Sequence, residues 1–458
     1  MRSVLVSTYE LGRQPFGLAS AAAWLRAAGS DVVCVDAAKQ PLDDDAFASA
    51  SLVGFHLPMH TATRLAAPLV VRARRANRDA TICAFGLYAP LNGPWLRSIG
   101  VDAVLGGEFE ADLAALARSS VARTGTSDTT DPRMGGAPNH QRLPRLRFLV
   151  PDRTGLPPLS RYATLRMPDG TRRLVGSTEA SRGCRHLCRH CPVVPIYNGQ
   201  FRVVQREVVL ADIAAQVAAG ARHITFGDPD FFNGPTHAMR IVDALHAAHP
   251  DVTYDVTIKI EHLLRHRDRL PRLAATGCVF VTSAVESVDD HVLAILDKGH
   301  TRADFLEAVA ACRAAALTLA PTFVAFHPWL TLGGYCDLLD TIAALDLVDH
   351  VAPIQLAIRL LVPDGSLLLE VADLRARIQG FDPATLTHRW THEDSRVDAL
   401  QRDAAAIVGR RVNADRRAVF DEISALAHER AGVAAPKFTS RPARASATVA
   451  YLDEPWYC

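Results

Sequence analysis

Short apolar runs with β propensity alternate with helical stretches along most of this chain of 458 residues. In the first series the runs are residues 3–7, 31–36, 52–57, 81–86 and 102–105. Parallel strands need long crossover connections, which are usually helices, so these five units predict an α/β fold with a doubly wound parallel sheet. Ligands of such sheets bind beyond the carboxyl ends of the strands.

A second series contains six longer units, and it predicts a different fold. Its apolar runs are residues 174–179, 223–226, 254–260, 278–285, 317–326 and 351–361. Parallel strands joined by helices at this spacing close into a barrel or a partial (β/α)6 barrel of the TIM type. We therefore expect a first domain at 1–118, a linker at 119–173, a barrel at 174–370, and a helical C-terminal region with an extended tail at 371–458. Residues 119–141, rich in Ser, Thr, Gly, Asp and Pro, are expected to be flexible.

Charge and hydropathy exclude several classes of protein. The 50 Lys and Arg residues nearly balance the 49 Asp and Glu residues, and only four of the cations are Lys. A balance near zero gives no sign of a nucleic-acid or membrane-surface partner. The N-terminus carries no apolar stretch typical of a signal peptide, and no window is long and apolar enough to cross a membrane. The sequence predicts a cytoplasmic protein.

The strongest local signal is the segment SRGCRHLCRHCP at residues 181–192, which follows the first barrel run. Its cysteines, Cys184, Cys188 and Cys191, are spaced C-x-x-x-C-x-x-C. A 4Fe–4S cluster usually takes four thiolates, so three ligands in one loop leave one iron open for a substrate. The alternatives are a zinc site completed by His186 or His190, and chance clustering.

This motif and its place in the chain resemble the radical S-adenosylmethionine (radical SAM) superfamily, over roughly residues 174–370. The resemblance implies that Cys184, Cys188 and Cys191 ligate three irons of a 4Fe–4S cluster. The fourth iron would chelate S-adenosylmethionine (SAM), and one electron from the cluster would then cleave its sulfonium. An electron donor of the reductase or flavodoxin type is implied as a partner. This chain departs from the family at His190, where Phe, Tyr or Trp is frequent.

Two further polar segments follow barrel runs and resemble cofactor-binding motifs of the same superfamily. Gly227, Asp228 and Asp230 after the second run would contact the amino group of methionine. Glu286 and Ser287 after the fourth run would bind the ribose or the methionyl group. Each segment also has a structural interpretation, as an acidic turn that caps the next helix or as a polar helix start with Ser287 as N-cap.

Other polar residues are also expected to face the mouth of the barrel. Their roles are left open between substrate contacts and surface pairs, and they are Lys259, Glu261, His327, Trp329, Arg359, Asp364 and Ser366.

The first domain resembles the cobalamin-binding domain of one branch of the superfamily, and Gly106–Glu110 fits the loop after its last strand. The D-x-H-x-x-G motif that supplies a histidine to cobalt is absent. Members of that branch can bind cobalamin without this ligand, and others have kept the fold and lost the cofactor. Cobalamin therefore stays an open prediction.

The last residue, Cys458, follows an aromatic-rich tail. A terminal cysteine is usually a frayed, inert thiol. The alternative is a resemblance to a radical SAM group whose tails end in Cys-Cys-Ala-Glu-Pro or Cys-selenocysteine-Ala-Glu-Pro. On that interpretation Cys458 precedes an untranslated selenocysteine and takes part in catalysis.

Two hypotheses follow. The first is a radical SAM enzyme acting on an unknown substrate, by methyl transfer or another radical-based transfer. The second is a non-catalytic iron–sulfur or zinc protein, in which the metal is structural or senses the redox state.

Overall fold

The computed structural model describes residues 1–122, 143–411, 414–435 and 449–454. The chain begins with a parallel five-stranded sheet in the order β2-β1-β3-β4-β5. Its strands are β1 (Arg2–Ser7), β2 (Asp31–Asp36), β3 (Leu52–His56), β4 (Thr81–Phe85) and β5 (Ala103–Leu105). The intervening helices are α1 (Phe16–Ala27), α2 (Asp44–Ala48), α3 (His60–Ala76), α4 (Tyr88–Leu91) and α5 (Gly93–Ser98), and α6 (Glu110–Ala122) follows β5.

Neighbouring residues of these strands enter different cores. Val4, Val53 and Ile82 belong to one buried cluster, whereas Leu5 and Leu52 belong to another. Successive side chains of a strand point to opposite faces, so the sheet is covered on both sides. The predicted doubly wound sheet is confirmed, and its order reverses between β1 and β3, the usual place for a ligand crevice.

A second sheet forms a curled half-barrel in the order β13-β12-β11-β10-β7-β6-β16. Strands β7 (Arg172–Thr178), β10 (His223–Phe226), β11 (Thr253–Thr257), β12 (Cys278–Glu286) and β13 (Thr318–Phe323) are parallel. Strand β6 (Thr164–Arg166) pairs antiparallel with β7, and β8 (Ser181–Gly183) pairs with β9 (Phe201–Val203). The helices of this part are α7 (Val194–Tyr197), α8 (Arg206–Ala218), α9 (Pro235–Ala248), α10 (Ile260–Arg265), α11 (Leu270–Ala275), α12 (Asp290–Ile295), α13 (Arg302–Ala314) and α14 (Leu332–Ala344).

The partial barrel is confirmed, but its sixth strand is reduced to one bridge. Residues 348–356 form short 3₁₀ turns, and the parallel pairing that remains is between Phe326 and Arg359. Pro353 lies inside the predicted run and has no N–H to donate to a ladder. Five parallel strands and this bridge therefore make up the barrel wall in the described residues.

The C-terminal part packs against both sheets. It contains α15 (Ala372–Arg377), a hairpin of β14 (Ile378–Asp382) and β15 (Thr387–Trp390), α16 (Ser395–Arg410), α17 (Arg416–Ala431) and β16 (Tyr451–Leu452). Strand β16 adds to the edge of β6. The next residue, Asp453, accepts hydrogen bonds from the backbone N–H and the hydroxyl of Thr164, at 2.6 and 2.7 Å. The tail is thereby fixed to the open side of the half-barrel.

The predicted domain limits stay a prediction. Helix α6 continues to Ala122, and β6 falls inside the expected linker. Most of the segment expected to be flexible, at residues 123–142, lies outside the described residues. No described helix combines the length and the apolar composition needed to cross a membrane.

Candidate functional site

The three cysteines lie in one loop at the carboxyl edge of the half-barrel. Gly183 precedes the first of them with a φ of +76°, and a side chain there would overlap the ring of Tyr197. The backbone turns sharply at this point and carries Cys184, Cys188 and Cys191 over the strand ends. Cys188 is buried, and the other two thiols are half-buried; none is in a disulfide. Three free thiols in one sheltered loop are suited to binding a metal group.

The electrostatics of the loop favour thiols over thiolates in the absence of metal. Burial raises the pKa of Cys184 to about 11 and that of Cys191 to about 12. The lysines oppose this effect, because Lys259 lowers the pKa of Cys184 and Lys298 lowers that of Cys191. Metal binding would therefore release protons, and the nearby ammonium groups would favour the deprotonated ligands.

The spacing of possible ligand atoms distinguishes two kinds of metal site. Among the described residues, Cys184, His186 and Asp230 form the group whose ligand atoms all lie within 4.8 Å of one another. The three cysteine sulfurs do not form such a group. Ligand sulfurs of a tetrahedral zinc ion lie about 3.8 Å apart, as follows from Zn–S bonds of about 2.3 Å. Cys184, His186 and Asp230 are therefore close enough for a single ion, a criterion that the three cysteine sulfurs do not meet.

Glu286 occupies an unusual position at the end of β12. It is buried and has a φ of +69°, a conformation that a non-glycine residue rarely adopts. Its Oε1 lies 3.0 Å from Nε2 of His190 and 3.4 Å from Nζ of Lys298. Burial raises the pKa of this carboxyl, but Lys298 and His190 together outweigh burial and lower it to about 2. A strained, ionised carboxylate in contact with the cysteine loop through His190 is typical of a functional site.

Ser287 follows Glu286 but does not cap α12. Its hydroxyl accepts a hydrogen bond from the backbone N–H of Asp289 at 3.1 Å, and the Asp289 side chain is the N-cap. The structural interpretation that made Ser287 the cap is therefore wrong. Glu286 and Ser287 line a cavity of about 300 Å³, together with Arg302, His327 and Asp337 among others.

Asp228 holds the base of the cysteine loop. Its Oδ2 accepts from the backbone N–H of Ala180 at 2.8 Å, and its Oδ1 accepts from the hydroxyl of Ser181 at 2.6 Å. Burial raises its pKa to about 7. The backbone N–H of the preceding residue, Gly227, donates to the carbonyl of Thr178. This segment therefore fixes the strand ends from which the loop departs.

Asp230 belongs to a polar cluster that the sequence did not reveal. Its Oδ2 lies 2.6 Å from Nδ1 of His262 and 3.7 Å from Nε2 of His186. The other ring nitrogen of His186 lies 3.0 Å from Nζ of Lys259, and Lys259 also pairs with Glu261. The Oδ1 of Asp230 accepts from the backbone N–H of Phe232, so the helix-capping interpretation also holds.

Other expected mouth residues have structural partners. The guanidinium of Arg359 stacks on the ring of Trp390 and donates to Asp398 at 2.7 Å. Ser366 donates to the carbonyl of Arg189 inside the cysteine loop. Cys458 lies outside the described residues, and its role stays a prediction.

A buried charge cluster joins the cysteine loop to the first domain. Arg182, two residues before the first cysteine, lies 2.6 Å from Glu110, 3.5 Å from Glu108 and 2.7 Å from Glu179. Its guanidinium also stacks on Phe148. Glu108 follows the last strand of the first sheet, so the carboxyl edges of the two sheets meet here. Sequence reasoning missed the contact with the first domain, because Glu108 and Glu110 lie more than 70 positions from Arg182.

Comparison with known proteins agrees with this geometry. Residues 178–328 match the family model of the radical SAM superfamily. Two curated relatives are tRNA-2-methylthio-N(6)-dimethylallyladenosine synthases. The one from Geobacter metallireducens is 27% identical over 147 residues, 29% of this chain and 32% of the relative. The one from Alkalilimnicola ehrlichii is 25% identical over 178 residues, 36% of this chain and 39% of the relative. The chain thus spans little more than a third of these relatives.

Solved structures share the whole arrangement. TsrM from Kitasatospora setae, a radical S-adenosylmethionine methyltransferase solved with cobalamin and a [4Fe-4S] cluster, superposes with a TM-score of 0.67 at 16% identity, covering 93% of this chain and 99% of that one. OxsB, a cobalamin-dependent S-adenosylmethionine radical enzyme solved with aqua-cobalamin and S-adenosylmethionine, gives 0.68 at 13% identity, covering 89% and 66%. At sequence identities this low, the structural similarity shows that the fold is shared and nothing further.

The cysteine loop and the half-barrel define a radical SAM domain. Residues 178–328 match the radical SAM family model, and the radical SAM domain predicted from the sequence is confirmed there. Its first domain has the position and fold of the corresponding domain in the cobalamin-dependent neighbours.

Proposed function

We propose that this protein holds a 4Fe–4S cluster on Cys184, Cys188 and Cys191 and cleaves SAM reductively to modify a substrate. The observation that carries the proposal is the contact of the cysteine loop with the strained, ionised Glu286, whose Oε1 lies 3.0 Å from Nε2 of His190, the residue before Cys191. When bound, such a cluster supplies one electron for cleavage of the sulfonium. The residues of this chain bind the ligands, orient them and exclude water.

Different observations support a role in SAM binding for each of the proposed residues. Glu286 and Ser287 line a cavity of about 300 Å³, which supports direct contact with the ribose or the methionyl group. Asp230 lies within ligand distance of Cys184 and presents a buried oxygen toward the loop. Gly227 and Asp228 hydrogen-bond the ends of β7 and β8, which supports a role in shaping the site from below.

Cobalamin in the first domain is proposed from the fold shared with TsrM and OxsB. The carboxyl edge of this sheet is packed against other parts of the chain, for example through Nε2 of His60, 2.5 Å from the carbonyl of Thr385. The cavity of about 300 Å³ is lined by residues of the half-barrel and α14. No step is derived through a corrinoid, and its uptake is a separate measurement.

A second candidate is a non-catalytic protein with one metal ion on Cys184, His186 and Asp230, whose ligand atoms lie within 4.8 Å of one another. The two candidates share Cys184 and differ in the other ligands. His186→Gln would remove the single-ion site and leave the cysteine triad, whereas Cys191→Ser would do the reverse. This pair of variants separates the candidates without knowledge of the substrate.

The experiment is anaerobic reconstitution with iron and sulfide, followed by dithionite and SAM, with the products identified by mass spectrometry. We expect bound iron and sulfide, and formation of 5′-deoxyadenosine and methionine, in the unmodified protein and in Cys336→Ala. Cys336 is a buried thiol of α14 and serves as the control. Cys191→Ser should lose the cluster and at least 100-fold of the cleavage rate, since a lost ligand removes the cluster itself.

Zinc without iron or sulfide, retained in Cys191→Ser and lost in His186→Gln, would favour the second candidate. Hydroxocobalamin uptake tests the first domain separately. A flavodoxin-type donor replaces dithionite in a later step. The proposed selenocysteine after Cys458 is tested on the gene, where a codon 459 other than UGA would refute it.

A further inference from the structure

Lysine is rare in this chain and concentrated at the cysteine loop. Only four of the 50 cationic side chains are Lys, at positions 39, 259, 298 and 437. Lys259 and Lys298 are both buried, with 8% and 3% of their surface exposed. Buried lysines are uncommon unless they are paired. A compact ammonium also differs from the planar guanidinium that this chain uses elsewhere, because it places a full point charge at one atom.

Lys298 is closely linked to the second half of the cysteine loop. Its Nζ lies 3.4 Å from Oε1 of Glu286, and the same oxygen lies 3.0 Å from His190, the residue before Cys191. The backbone N–H of Arg189 donates to the carbonyl of Leu296, which fixes the loop to the segment that carries Lys298. Burial lowers the pKa of Lys298, but Glu286, together with Cys188 and Cys191, outweighs burial and raises it, so this side chain is an ammonium.

Lys259 holds the equivalent place beside Cys184 with weaker effect. Its Nζ lies 3.0 Å from Nδ1 of His186, whose side chain lies within ligand distance of the Cys184 sulfur. It also pairs at 3.5 Å with Glu261, a residue 27% exposed at its side chain that pairs with Arg265 as well. The pair of Lys259 and Glu261 is more exposed than the pair of Lys298 and Glu286, so solvent screens the charge of Lys259 more than that of Lys298.

We propose that Lys298 is a positioning residue for the transferred electron: its buried ammonium stabilises the reduced cluster on Cys188 and Cys191 and so sets the reduction potential. The inference rests on the proposed function and deepens it. Reduction takes one electron from a one-electron donor, and no bond is made or broken. The added negative charge lies in a sheltered site, where a nearby positive charge acts strongly. Charge and hydrogen bonds near the sulfurs are known determinants of cluster potential.

The test is an EPR-monitored redox titration of reconstituted protein without SAM. Lys298→Met should lower the equilibrium constant of reduction at least tenfold, a shift of about 59 mV to more negative potential for a one-electron couple. Lys298→Arg retains the charge and should stay close to the unmodified protein. Lys259→Met should shift less than Lys298→Met. Lys39→Met, in the first domain, is the control and should not shift.

A second variant, for which we expect a shift of the reduction potential in the opposite direction, keeps the inference testable if Lys298→Met loses its cluster. Glu286→Gln removes the negative charge beside the ammonium and should move the potential to more positive values. An unchanged potential in fully loaded Lys298→Met, or in Glu286→Gln, overturns the inference. An unchanged potential with weakened SAM binding would make Lys298 a SAM ligand instead. An unmodified protein that takes up no iron and sulfide overturns the proposed function as well.

Discussion

Two buried glutamates, one at the carboxyl edge of each sheet, respond to burial in opposite ways. Glu108 follows β5 of the first sheet, and Glu286 ends β12 of the half-barrel; their exposed fractions are 2% and 8%. The pKa of Glu108 is raised to about 7, whereas that of Glu286 is lowered to about 2. The same chemical group at the same kind of strand end therefore carries a proton far more readily in one region than in the other.

The difference comes from the neighbours. Burial raises the pKa of both carboxyls, and at Glu108 the single cation Arg182 must also serve Glu110 and Glu179. At Glu286 the two cationic partners Lys298 and His190 lie 3.4 and 3.0 Å from one carboxylate oxygen. Burial alone does not predict ionisation, since the ratio of cations to carboxylates in the pocket decides it.

The largest effect is expected from Arg182→Met, which removes the shared cation of the first region. Three carboxylates would be left, of which Glu108 and Glu110 are nearly inaccessible to water. Removing one partner of a buried ion pair costs about 3–5 kcal/mol of the free energy of unfolding. Urea unfolding followed by circular dichroism measures it. Arg272→Met is the matched control, because its pair with Asp243 is exposed and such pairs contribute about 0–1 kcal/mol. Equal effects of the two substitutions would contradict the prediction.

A smaller effect, with a defined pH dependence, is expected from Glu286→Gln in the metal-free protein. The folded-state pKa of about 2 lies below the ordinary value of 4.5, so the ionised carboxylate stabilises the fold at neutral pH. The contribution is on the order of 3 kcal/mol. It is present above about pH 4.5 and is lost as the pH falls toward 2. Unfolding free energies of the two proteins should therefore converge between pH 5 and the acid limit, and a constant difference would refute the assignment.

The smallest effect, and one of opposite sign, is expected from Glu108→Gln. Its folded-state pKa of about 7 lies above 4.5, so the stability contribution is greatest below pH 4.5 and is lost as the pH rises through 7. Between pH 5 and pH 8, the free energy of unfolding of the variant should rise by about 1–2 kcal/mol relative to that of the unmodified protein. The gain is limited because Arg182, Glu110, Glu179 and Tyr197 all face this carboxyl and titrate with it. Parallel stability curves of the two proteins would show that Glu108 does not titrate in this range.

The local sequence pattern predicted most strands of the two sheets. The five strands of the first sheet and the first five of the half-barrel lie where their apolar runs predicted them, within a few residues. The sixth run failed because Pro353 interrupts it, although the run is apolar enough for a strand. The hairpin of β14 and β15 was not predicted, because its strands are short and half-exposed.

In the candidate site, too, local sequence features were predicted, whereas contacts between residues distant in the chain were not. The cysteine spacing and the polar ends of the second and fourth strands are local signals, and all of them lie at one edge of the barrel. The linkage of Lys298 to His190 through Glu286 was not visible, since these three residues come from separate loops. Lys259 was expected at the mouth of the barrel because it lies at the end of the third run, whereas no local pattern predicted a role for Lys298.

The sequence by itself determined the class of this protein. The alternation of apolar runs and helical stretches predicts two parallel sheets, and the spacing of three cysteines indicates a loop that can hold a metal group. Only the tertiary structure decided how the two sheets share a boundary at Arg182 and which carboxylates there are ionised. The physical reason is that periodicity and ligand spacing act between near neighbours in the chain. Ionisation depends on the number of charges that folding brings into one buried volume.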